Sequence, residues 1–118
     1  MIKCEITRNE NDAVIRFIVK GHAGQDEYGS DIVCSAVSAV VYTALGALDE
    51  LAGCSEYYDV RETDEGISVE DEHIEFVLPD NLEEKRFEKA QVILESMIIG
   101  LKQIEHIYDE YVSVTDRR

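Results

Sequence analysis

The run Asp31-Ile32-Val33-Cys34-Ser35-Ala36-Val37-Ser38-Ala39-Val40-Val41-Tyr42-Thr43-Ala44-Leu45-Gly46-Ala47-Leu48-Asp49-Glu50-Leu51 reads as one long helix. Ser30 or Asp31 supplies its N-cap and Gly53 ends it. Val33, Val37, Val40, Val41, Ala44, Leu45, Leu48 and Leu51 cover most of its circumference, so it has to be packed on more than one side. The stretch Ile32 to Leu48 is interrupted by Ser35, Ser38, Thr43 and Gly46 and falls short of the roughly 20 residues a membrane span needs. It is therefore expected to be a buried helix with no membrane role.

Working outward, residues 2 to 8 alternate Ile2, Cys4 and Ile6 against Lys3, Glu5 and Thr7, which is strand period. Residues 13 to 20 alternate Ile15, Phe17 and Val19 against Arg16 and Lys20, and Asn9-Glu10-Asn11-Asp12 between the two runs is turn chemistry. A β-hairpin whose second strand ends at Gly21 follows. Downstream of the helix, residues 57 to 62, 67 to 71 and 73 to 78 read as short strands, with turns at Thr63-Asp64-Glu65-Gly66 and near Asp71-Glu72. Asn81 and Glu84 are spaced as a capping box for a second helix. Its stripe is Phe87, Ala90, Leu94, Met97, Ile98, Leu101, Ile104 and Tyr108, and Tyr111, Val112 and Val114 suggest a last strand. The fold expected is α+β, a mainly antiparallel sheet packed with two long helices.

A chain of 118 residues suits a single compact domain, and 45% hydrophobic with 31% charged residues gives it material for a core. Its net charge of -15 speaks against direct nucleic-acid binding, which clustered Lys and Arg carry, and makes basic proteins or peptides the natural partners. Three cysteines, at 4, 34 and 54, form no CxxC pair, and the N-terminus is unlike a signal peptide. A reducing, cytoplasmic setting is expected. A metal site from His22, Cys34, Cys54 and His73 would lack the short paired spacings of zinc sites. No metal and no cofactor is expected.

Two residues stand out chemically. Cys34 lies one turn into the first helix, where unsatisfied N–H groups and the positive dipole end favour an anion and offer donors to a substrate oxyanion. His22 follows a strand end inside a loop, Gly21 to Ser30, that carries Gly21, Gly24 and Gly29, where a partner chain is able to approach closely. An imidazole there is able to take the thiol proton and later protonate a leaving amine, provided the loop folds back. Asp31 either caps the helix or orients His22, and Ser38 either bonds within the site or back to a main-chain carbonyl. His73, His106, Cys4 and Cys54 are read as structural or solvated.

The pattern Gly21-His22-Ala23, a spacer ending in Gly29, then Asp31-Ile32-Val33-Cys34-Ser35-Ala36-Val37-Ser38 resembles the ribosomal-processing cysteine protease family Prp, over the whole chain. Ser35 departs from the small aliphatic residue that the family has after its cysteine. The resemblance implies that residues 1–118 are one cysteine protease domain with Cys34 as nucleophile and His22 as general base. It also implies a homodimer with a mobile loop over the site. The implied substrate is a basic ribosomal protein, number twenty-seven of the large subunit, whose N-terminal extension is removed during ribosome assembly. Two other readings stand beside it: a non-catalytic acidic adaptor that binds a basic ribosomal tail, and a thiol hydrolase of small acyl groups.

Overall fold

The structure, a computed structural model, describes residues 1–21, 30–60 and 73–117, and only the backbone of 30, 31, 58–60 and 117. In chain order these form β1 (Ile2–Arg8), β2 (Val14–Lys20), α1 (Ser30–Ala52), β3 (Tyr57–Val60), β4 (His73–Val77), α2 (Glu84–Ile107) and β5 (Val112–Arg117). The sheet runs β3-β4-β2-β1-β5. Neighbours pair antiparallel except β5, which lies parallel to β1. This is the α+β arrangement expected, although the strand expected at 67–71 lies outside the described residues.

Alternation along β1 sends Ile2, Cys4 and Ile6 to one face, where they are buried with Phe17, Val19 and Phe76 under the two helices. Register puts Phe17 opposite Phe76, and their rings stack with centroids 5.7 Å apart. In β2 the simple alternation fails. Thr7 pairs with Arg16 but Arg8 pairs with Val14, so Ile15 is the extra residue of a bulge and Val14 takes the core position expected of Ile15. Beside the bulge, Gln91 of α2 serves both main-chain groups of Val14. Its Oε1 accepts from the Val14 N–H at 2.9 Å, and its Nε2 donates to the Val14 carbonyl at 2.8 Å.

Arg8 continues the inward series of β1 at the sheet rim, with a side chain only 4% exposed. All five guanidinium N–H groups are taken: Nε and Nη2 by Asp116 of β5, Nη1 and Nη2 by Glu95 of α2, and Nη1 also by the Asp12 carbonyl. Hydrogen bonds donated to Glu95 and Asp116 hold the Arg8 proton more firmly than usual. The Arg8 hydrogen bond, helped by Lys102, lowers the Asp116 carboxyl against the opposing effect of burial.

The helices are held to each other as well. Gly53 at φ +67 turns the chain out of α1, and Arg86 donates to the carbonyls of Ala52 at 2.9 Å and Gly53 at 2.6 Å, the cation that the last turn of α1 lacks. Gly100 lets α2 approach α1 closely, since a Cβ there would lie 3.3 Å from a Val40 methyl. The capping box expected at Asn81 and Glu84 does not form. Asp80 and Asn81 are in a turn, Leu82 packs against the core, and the N-cap shifts to Glu83, which makes no side-chain cap bond. The apolar stretch of α1, Ile32–Ala52, is long enough to cross a membrane, contrary to the length argument above. Here a third of it is buried, along the face that meets the core.

Arg8→Ala strips the partner from a side chain of Asp116 that is only 10% exposed and should cost about 3 kcal/mol in urea denaturation. A loss below about 1 kcal/mol would mean the cluster is a surface pair. Because the folded Asp116 carboxyl lies below its unfolded value, its contribution is complete above roughly pH 4 and is lost as pH falls through the folded value. Asp116→Asn should therefore flatten the acid limb of the stability curve.

Candidate active site

In α1, Val33 and Val37 are buried while Ile32, Ser35 and Ser38 are exposed, and successive residues turn by about 100°. Cys34 falls between these two faces. It is half-buried, leaning on the core yet open to solvent, and is the fifth residue of the helix. Because Cα–Cβ bonds tilt toward a helix N-terminus, its thiol leans to the first turn, where N–H groups have no intrahelical acceptor. Ser38 lies one turn further along the same side and is exposed. Asp31 stands in the first turn, its side chain outside the described residues, as are His22, Gly24 and Gly29 altogether.

Gly21, the last described residue before His22, adopts φ +89 at the end of β2. A Cβ there would lie 2.4 Å from the Met1 carbonyl oxygen, so only glycine fits. The sequence marks this position by residue type, but the contact with Met1 depends on the pairing of β1 with β2.

The other two thiols are of a different kind. Burial, reinforced by the Glu105 carboxylate, pushes the Cys4 thiol up to about 12. Cys54 is buried beyond the end of α1, with its S–H 3.5 Å from the Ala52 carbonyl oxygen. Eighteen residues of helix separate Cys34 from Ala52, roughly 27 Å at helical rise, so Cys34 and Cys54 do not share a metal ion. Among the described residues no group of three or more His, Cys, Asp or Glu is placed to hold one. His73 pairs across from Lys20 in the sheet, and His106 is exposed in the last turn of α2.

A family model described as cysteine protease Prp matches residues 1–113. The ribosomal processing cysteine protease Prp of Bacillus subtilis is 36% identical over 115 residues, which is 98% of this chain and 96% of that protein. The Staphylococcus aureus protein of the same name is 37% identical over 112 residues, 95% of each. A crystal structure of a Staphylococcus aureus ribosomal processing protease Prp with a covalently linked product peptide superposes with a TM-score of 0.71, at 30% identity and over the full length of both chains.

Iodoacetamide at pH 7.5 should label Cys34 first in the folded protein, with Cys4 and Cys54 reacting only after denaturation, as peptide mass mapping would show. Equal labelling of all three before unfolding would contradict the burial that separates them.

Proposed function

This chain belongs to the family of cysteine protease Prp, and on that footing we propose that it removes an N-terminal extension from large-subunit ribosomal protein number twenty-seven, with Cys34 as nucleophile. What carries the reading is a half-exposed thiol at a helix start, set against two thiols shut in by burial. Membership in a protease family leaves the adaptor and small-acyl hydrolase readings without support.

In this mechanism His22 takes the Cys34 proton and the thiolate attacks the scissile carbonyl carbon. The carbonyl electron pair moves onto oxygen, where N–H groups of the first turn of α1 stabilise it. As the pair returns, the C–N bond breaks and the imidazolium gives its proton to the leaving amine, which leaves a thioester on Cys34. Water then attacks the thioester, losing a proton to His22. The acid product departs and Cys34 recovers its proton. The Staphylococcus aureus relative named in complex with a covalently linked product peptide supports a route that passes through a covalent enzyme–peptide bond. Asp31 caps α1 or orients His22, and Ser38 offers a hydroxyl one turn from the thiol.

A protein that sits on ribosomal RNA is basic, which suits an enzyme of net charge -15 that itself binds no nucleic acid. Such a substrate places the enzyme in the cytoplasm. We read it as a homodimer joined over the helical layer, where Val92 is 67% and Ile99 59% exposed beside an apolar groove of about 460 Å3 that includes Ala39, Thr43 and Gly100.

Cys34→Ser and His22→Ala should each keep the melting temperature within a few degrees and lose cleavage of the extended ribosomal protein by roughly 1,000-fold or more. Activity retained in either variant would remove that residue from its role. In analytical ultracentrifugation Val92→Glu should shift a dimer toward monomer, and an unchanged dimer would place the interface elsewhere.

A further inference from the structure

β5 is the last strand of the sheet, parallel to β1, and among the described residues no strand lies beyond it. The Ile2 N–H donates to the Tyr111 carbonyl at 2.8 Å, which fixes the phase of that ladder. Main-chain groups of a paired strand alternate sides, so Ser113 and Thr115 address β1 while Val112, Val114 and Asp116 turn their N–H groups away from it. Such an edge is a template for another chain. The run Tyr111-Val112-Ser113-Val114-Thr115 adds to the hazard, being uncharged and rich in β-branched residues.

Two of these outward donors are already taken. The Val112 N–H donates to the Tyr108 carbonyl at 3.1 Å, in the turn that leads out of α2. The Val114 N–H donates to Oε2 of Glu105 at 2.6 Å. Glu105 stands in the last turn of α2, where the helix dipole disfavours a carboxylate, so nothing local to the helix favours it there. The same carboxylate bears on the Cys4 thiol, and Cys4 is the register partner of Val114, in agreement with a seat at this point of the edge.

We propose that Glu105 guards this edge: its carboxylate occupies the outward N–H of Val114 and so keeps the β5 of a second copy of the chain from adding to the sheet. A second copy is the occupant that fits, because an antiparallel pairing centred on Val114 sets Val112 of each strand against Asp116 of the other and is self-complementary under a two-fold axis. In that pairing each Val114 N–H would donate to the Val114 carbonyl of the other copy, the bond that Glu105 forecloses. The contact is separate from the dimer proposed over the helical layer.

The test compares Glu105→Ala, Glu105→Gln and the double variant Glu105→Ala with Val114→Pro against the unaltered chain, by sedimentation velocity across a range of protein concentrations and by NMR of amide exchange at Val114. Glu105→Ala should add a concentration-dependent association step, which should persist with Val92→Glu also present. At concentrations below that step its Val114 amide should exchange at least roughly tenfold faster than in the unaltered chain, and should slow again as copies associate. Glu105→Gln keeps an acceptor oxygen and should sediment as the unaltered chain does. Proline is tolerated at an edge-strand position whose N–H faces outward, so Val114→Pro should cancel the association. A Glu105→Ala protein that sediments as the unaltered chain at every concentration would overturn the proposal, as would association that Val114→Pro leaves intact. So would a Val114 amide that exchanges in the unaltered chain as fast as one on an open edge, a measurement that requires no variant to fold.

Discussion

The rotation of α1 about its own axis is the constraint on which the site depends. Val33, Val37, Val41, Leu45 and Leu48 occur at three- and four-residue intervals and are all buried, so the helix has one orientation that keeps them out of water. Turning it by one residue would expose Val33 and bury Cys34, exchanging a fully buried apolar side chain for a thiol that belongs half in solvent. The reactive group is thus placed by side chains that take no part in its chemistry. Arg86 at the far end of the helix and Gly100 at its crossing with α2 hold that orientation from two further points.

The sheet meets the same demand by different means. Its rim at the β1–β2 turn is irregular, and the irregularity is made good from α2 and β5 through Gln91, Glu95 and Asp116. These contacts fix β1 at its end, at Arg8, while the hydrogen bond from Ile2 to Tyr111 fixes it at its start. A strand held at both ends is a firm wall for Gly21 at the end of β2. The strongly acidic surface is compatible with this arrangement, since the one buried cation among the described residues is enclosed by carboxylates rather than offered to a partner.

Local signals in the chain were enough for the hairpin, both helices and the last strand, because each depends on a period that neighbouring residues display. The position of Cys34 one turn into the first helix was legible for the same reason, whereas its place between a buried and an exposed face came only with the fold, because the helix reads as apolar on most of its circumference. Four further features were not legible. Ile15 gave up the core to Val14 because a bulge shifts the phase of a strand without leaving a mark in its composition, and the group that repairs it lies 77 residues away. Arg8 finds its partners 87 and 108 residues downstream, so its burial had no local sign beyond a cation at an inward position. The parallel run of β5 beside β1 is a matter of global topology. The shift of the α2 N-cap from Asn81 to Glu83 shows how a core anchor, Leu82, prevails over a capping pattern.

The central claim is that Cys34 forms a covalent bond with the substrate acyl group. It is tested most directly by acid-quenching the enzyme within its first turnovers on a peptide that spans the cleavage point, followed by intact-mass and fragment-ion analysis. The account predicts a transient adduct equal to the N-terminal product minus water, located on Cys34 and discharged by hydroxylamine. Cleavage at full rate with no such adduct, or an adduct on Cys4 or Cys54, would contradict it.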